Sequence, residues 1–173
     1  MEINIGTEMR DEYLSFELAK GAYVLAKEVM LIKPNESVIV TGDTSSDKRV
    51  IDAVADAVYA IGGVPIVVNY ATAPVAFQQP PAPIAAAVSK ADVWIEFAYS
   101  TIMHSEAFQK SMESGARYIN LTGMDVTMMV NTISKVDYIT MVEFGEYLKS
   151  VLEKTDEIIV ASPNGTNLKS YNK

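Results

Sequence analysis

The chain carries a single histidine, His104, and no cysteine. An imidazole is the side chain whose unperturbed pKa lies near neutrality, so it gives or takes a proton at physiological pH without further tuning. Without cysteine there is no disulfide and no thiolate metal site. A metal site of the usual composition needs more histidines, or carboxylates clustered at ligand spacing. The chemistry to look for around His104 is therefore proton transfer or hydrogen bonding to a bound small molecule. The plain alternative is a histidine that opens a helix and caps backbone groups.

The stretch from Ala91 to Leu121 must position that ring. Val93, Trp94, Ile95 and Phe97 form an apolar run of buried-strand length. A turn follows at Tyr99–Met103, then a helix over Ser105–Ser114, closed by Gly115 in a left-handed C-cap. Arg117–Leu121 reads as the next strand. His104 falls where the first strand hands over to the helix, and ligands of open α/β sheets bind outside the carboxyl ends of the strands. Tyr99, Ser100 and Thr101 in that turn could line a pocket, or could satisfy the turn's own backbone. The turns after two other strands should converge on the same rim. They hold Gly42-Asp43-Thr44 and Thr122-Gly123, whose hydroxyls and glycines leave backbone donors open to a polar ligand.

Further candidates are weaker. Thr41–Asp47 (TGDTSSD) could hold phosphate at a helix N-terminus, and its T-G-x-T piece is similar to the phosphate loop of flavodoxins. Neither G-x-G-x-x-G nor a Walker loop is present, so capping by Ser46 or Asp47 is the favoured reading. Asp52 with Asp56, and Glu143 with Glu146, read as solvated helix faces. Asp43 and Glu96 lie near strand ends and have no partner visible in the sequence. Met124, Met128 and Met129 read as core packing, with a subunit contact as the alternative.

The remaining pattern is strand–helix alternation. Thr7 is an N-cap candidate for a first helix, with Glu8, Asp11 and Glu12 at its positive end. Leu14, Leu18, Ala22, Leu25 and Val29 share its inner face, and Gly21 permits a close backbone contact. Ser37–Thr41 and Pro65–Asn69 are strands around a helix over Lys48–Ile61, whose Val50, Ile51, Val54, Val58 and Ile61 face the sheet. A proline-rich loop, Tyr70–Pro83, is long enough to be functional. After a short helix at Ile84–Ser89 and the His104 stretch come helices over Asp125–Ile133 and Asp137–Lys154. The second of these should bury Met141, Phe144, Leu148, Val151 and Leu152. EIIVA and TNLKSY around Ser162-Pro163-Asn164-Gly165 form a hairpin, which is marginal alone and calls for further strands. The expected fold is α/β: a three-layer, Rossmann-like parallel sheet with helices on both faces, plus a C-terminal β-hairpin. With 173 residues, residues 1–156 are expected as one domain. Residues 157–173 are expected as a hairpin leading into a further domain that this chain lacks.

A net charge of −8 argues against nucleic-acid and anionic-membrane partners. No transmembrane run or signal peptide is evident, so the cytoplasm is the simplest location.

ADVWIEF…MHSEAFQKSMESGARYINLTG resembles the N-terminal half of the thermophilic-type leucyl aminopeptidase (aminopeptidase T) family, a fold group that includes dihydroxypyridine ring-cleaving dioxygenases. The shared pattern is Ala91-Asp92 in a strand, His104-Ser105 at the end of a turn, and Gly115-Ala116-Arg117 before the next strand. VIVTGDTSSDKRVIDAVADAVYAIGGVPIVV is also similar, and ASPNGTNL resembles the S-P-x-G-T-D-L hairpin joining that family's two halves, with Asn167 in place of Asp. The resemblance implies the N-terminal domain of a two-domain, homodimeric metalloenzyme, forming one wall of the active-site cleft and inactive alone. It implies a divalent metal (zinc, cobalt or iron) in the complete enzyme, with no cofactor held by this chain. It also carries over His104 as the catalytic residue and its neighbours, Ser105 included, as contacts to a small-molecule or peptide substrate. Two other readings stand beside it: a flavodoxin-like nucleotide- or flavin-binding module, and a purely structural dimerisation domain.

Overall fold

A computed structural model describes residues 14–172. The chain divides into two compact units, Met1–Val136 and Asp137–Lys173.

The first unit is built on four parallel strands, β1 (Ser37–Asp43), β2 (Val64–Tyr70), β3 (Val93–Glu96) and β4 (Arg117–Asn120), in the order β2-β1-β3-β4. The inner strands β1 and β3 are buried on both faces, as their unbroken apolar runs require. One face carries Ile39 and Trp94, packed against α3 (Ala82–Val88) and α4 (Glu106–Glu113) through Ile84, Val88 and Ala107. Side chains alternate along a strand, so Val38, Val40, Val93 and Ile95 turn to the opposite face. That face is covered by α2 (Lys48–Ile61), which buries Val50, Ile51, Val54 and Val58 and leaves Ile61 half-buried. α1 (Ser15–Val24) lies against α2 and α5 (Val126–Asn131). The result is the expected three-layer α/β arrangement.

Local chemistry sets the boundaries. Asp47 caps α2 by accepting from Arg49 N, and Gly62 ends the helix at φ 94°. Gly115 adopts φ 87° after α4. α1 runs on into one π-helical turn, Leu25–Val29. Leu18, Ala22 and Leu25 on its inner face are buried, and Leu14 and Val29 are half-buried. A Cβ at Gly21 would lie 3.1 Å from Met129 and 3.3 Å from Ser134, so the small residue sets the α1–α5 approach. Met129 is core, while Met128 is exposed. Thr7, Glu8, Asp11 and Glu12 lie outside the described residues. The last helix of this unit is shorter than expected, with a 3₁₀ turn at Ile133–Lys135.

The second unit is α6 (Tyr138–Leu152), capped by Asp137, and an antiparallel hairpin of β5 (Glu157–Ala161) and β6 (Asn167–Tyr171). Here one expectation fails: Met141, Phe144, Leu148, Val151 and Leu152 are all exposed. Ile139, Val142 and Tyr147 are apolar and exposed too, so the helix is apolar around most of its circumference and periodicity defines no single inner face. No helix among the described residues is long and apolar enough to cross a membrane.

Candidate functional site

The carboxyl ends of β1, β3 and β4 are adjacent because β1, β3 and β4 are neighbours in the sheet. Their following turns are bonded to one another. Asp43, the last residue of β1, accepts at Oδ2 from Ser100 N (2.9 Å) and Ser100 Oγ (3.0 Å) in the turn after β3. Its Oδ1 accepts from Ser45 N and Ser46 Oγ. Thr122, after β4, donates its hydroxyl to Ala98 O at 2.9 Å. Asn120 Nδ2 donates to Thr101 Oγ1 at 2.7 Å. The convergence expected from topology is present.

Glu96 ends β3 with no exposure, and Asp43 is 2% exposed. Glu96 Oε1 accepts from Ile102 N (2.7 Å), and Oε2 accepts from Thr101 Oγ1 (2.9 Å) and from the Tyr118 hydroxyl. These donors, like those to Asp43, are all neutral. Burial drives the Glu96 pKa upward, more than its hydrogen bonds lower it. At Asp43 burial also pushes upward. There the bonds from Ser100, Tyr99 N and Ser46 together outweigh it, and its pKa lies below the usual carboxylate range. Burial, then the neighbouring Glu96, raises the Tyr118 phenol, which stays a donor.

The Glu96 bonds hold the turn that presents His104. That residue sits at φ 69°, in the left-handed region a non-glycine residue enters only at a cost. The next residue, Ser105, is extended and caps α4 by accepting from Phe108 N. The His104 side chain is exposed, and its ring stands 5.8 Å from that of Phe77 and 6.0 Å from that of Phe108. Phe108 meets Tyr118 at 4.9 Å, and Tyr118 meets Trp94 at 4.6 Å. A chain of rings thus runs from the rim into the core, where Trp94 Nε1 donates to Thr41 Oγ1. Phe77, itself at φ 65°, belongs to the proline-rich loop. That loop is fastened to the His104 turn by Phe77 N to Thr101 O (2.7 Å), Ala73 N to Ser100 Oγ (3.0 Å) and Ala107 N to Gln79 Oε1 (3.1 Å).

The expected site residues therefore divide. His104 and Tyr99 are exposed on the rim; Thr44 and Gly123 are exposed beside it, and Thr44 Oγ1 pairs with Thr72 Oγ1 at 3.0 Å. Ser100, Thr101 and Ser105 are buried, with their hydroxyls engaged by the network or the helix cap. Asp43 is buried within the network, and Thr122 is half-buried. Sequence reading left Glu96 and Asp43 unpartnered and did not single out Tyr118, Asn120, Phe108 or Gln79. Part of that was readable, because Tyr118 and Asn120 stand in register with Trp94 and Glu96 and alternate with them.

In the loop after β1 several backbone donors are already taken, Thr44 N among them, bonded to Tyr70 O. Ser45 N and Ser46 N are bonded within the turn or to Thr72, and a buried carboxylate sits at its centre. Nor do these residues fit a metal. Among the described residues no group of three or more His, Cys, Asp or Glu could hold one, and the oxygens of Asp43 and Glu96 already accept from N–H and O–H donors.

No protein-family model matches the chain, and no curated protein matches its sequence. Solved structures do match in fold. One is 2,5-dihydroxypyridine dioxygenase from Pseudomonas putida KT2440, with 16% identity and a TM-score of 0.68 over 96% of this chain and 49% of that one. Another is wild-type AmpT from Thermus thermophilus, with 12% identity and a TM-score of 0.57 over 91% of this chain and 54% of that one. The chain spans about half the length of these two structures, and at such identities what it shares with them is a distant likeness of fold.

Proposed function

We propose that this chain is the N-terminal domain of a two-domain metal-dependent enzyme and forms one wall of its active-site cleft. Its His104 would act there as a proton-transferring or hydrogen-bonding group toward substrate. The observation that carries this reading is the placement of His104: a left-handed, exposed residue on the carboxyl edge of the sheet, held by a turn anchored in a buried carboxylate network. The distant likeness in fold to a dioxygenase and to AmpT is in keeping with it. The reaction would be removal of an N-terminal amino acid or oxygenative opening of a hydroxylated N-heterocycle. The exposed ring of Phe77, 5.8 Å from that of His104, favours a planar ring substrate. The zinc, cobalt or iron ion expected for such an enzyme would be held by residues outside this chain, and a homodimer is its expected assembly.

In the complete enzyme with its metal bound, His104→Ala should lower kcat/KM by about 10²–10⁴-fold with the thermal unfolding midpoint retained. A histidine that only caps a helix gives the reverse, lost stability with near-normal turnover. Unchanged turnover removes the catalytic role.

A further inference from the structure

The turn of the C-terminal hairpin carries chemistry of its own. Asparagine is a chemically labile residue, and the residue after it governs how labile. Among the chain's asparagines only Asn164 is followed by glycine. Ser162-Pro163-Asn164-Gly165 forms the turn between β5 and β6, closed by Gly165 N to Ser162 O and Ser162 N to Thr166 O, both 3.1 Å. All four turn residues and the whole of β6 are exposed. Gly165 sits at φ 96°, and the space where a Cβ would lie is open, so its nitrogen is uncrowded. After the other described asparagines stand Glu36, Tyr70, Leu121, Thr132, Leu168 and Lys173, whose side chains crowd the following nitrogen. Asn69 and Asn120 also lie inside strands. Among the described residues β5 and β6 pair only with each other. A lone two-stranded hairpin is marginal in water and exposed backbone bonds contribute little net, so the turn opens and recloses locally.

We propose that Asn164-Gly165 is a site of spontaneous self-modification that loosens the hairpin as the molecule ages. With the turn open, Gly165 N attacks Asn164 Cγ. A C–N bond forms, the Cγ–Nδ2 bond breaks, and ammonia leaves with the proton from Gly165 N. Water then opens the cyclic imide at either carbonyl, giving aspartate or isoaspartate at position 164. Each product adds a negative charge. Isoaspartate also routes the main chain through the former side chain, lengthening the turn that both closing bonds span. The proposal stands apart from the role given to His104.

The unaltered chain tests it. Held near neutral pH and digested at intervals for mass spectrometry, it should gain the mass of NH₂ replaced by OH first and chiefly at position 164, with isoaspartate the major product. The rate should rise with pH, because the attacking nitrogen must lose its proton. It should stay within about tenfold of the rate in a free peptide of residues 160–168, since the turn protects it little. Asn164→Gln, whose longer side chain closes a less favourable ring, should stay unmodified at that position over the same period. Chains carrying isoaspartate, separated chromatographically, should exchange the amides of residues 157–171 faster than unmodified ones. Conversion more than about tenfold slower than in the peptide, earlier conversion at another asparagine, equal conversion of Asn164→Gln, or unchanged exchange in the isoaspartate form each overturns the proposal. The comparison among asparagines is read on the unaltered chain, so it decides even if Asn164→Gln fails to fold.

Discussion

The two ends of the same sheet use carboxylates in opposite ways. At the amino end, Asp92 accepts from Ser37 N (2.7 Å) and Ser37 Oγ (2.8 Å), tying β1 to the start of β3. Glu36 beside it pairs with the Arg117 guanidinium at the start of β4. These groups are solvated or matched by a cation. At the carboxyl end, Asp43 and Glu96 are buried and held by neutral donors: hydroxyls, backbone N–H groups and, at Glu96, the Asn120 amide. Stapling strands together needs no more than the first arrangement. The second keeps negative charge out of water beside an exposed histidine, at the edge where α/β sheets take ligands.

The contrast can be broken most sharply at Glu96. Glu96→Ala strands the Thr101 hydroxyl, the Tyr118 hydroxyl and Ile102 N in a buried site, and should cost about 3 kcal/mol or more in urea unfolding. A loss under ~1 kcal/mol would mean that the network anchors little.

A milder variant sharpens the comparison through pH. The folded-state pKa of Glu96 is raised, so the folded chain binds the extra proton and loses stability as pH climbs from the unfolded value near ~4.3 through the folded one. Glu96→Gln lacks that loss and should gain on the unaltered protein across this window, by about 1.4 kcal/mol for each unit of the raise. Glu36 at the other end has the opposite sign. The Arg117 bond is the largest influence on its pKa, which is lowered, so its contribution is present above the unfolded value and disappears as pH falls through the folded one. Unfolding curves at a series of pH values for Glu96→Gln and Glu36→Gln should diverge in these opposite directions; parallel curves would erase the distinction.

The smallest effect belongs to Arg117→Ala. Its ion pair with Glu36 is partly solvated, and breaking it should cost ~1 kcal/mol or less, shrinking further in high salt. A loss as large as that of Glu96→Ala would make the two ends equivalent.

Much of this frame was legible because its signals are local. Asp47 and Gly62 bracket α2, Gly115 closes α4, and apolar runs mark β1 and β3. The rim followed from topology once the strands were known. The carboxylate partners were not legible, since Ser100 lies 57 residues from Asp43 and Tyr118 lies 22 from Glu96, and only packing joins them. The Phe77–His104 contact depends on a loop whose path no periodicity encodes. α6 misled because apolar residues surround it, so the pattern said that it is sticky without saying on which side.

Position 104 also has an evolutionary reading. A residue at φ 69° is tolerated with least strain when it is glycine, and asparagine or aspartate come next. The ring there is exposed, so drift toward a more stable sequence meets little resistance from the core. Mutation and selection for folding alone would therefore tend to erase an imidazole at this point. A lineage that retains one has been held against that drift by something other than folding, which makes the identity of residue 104 across related chains a record of whether the rim is still in use.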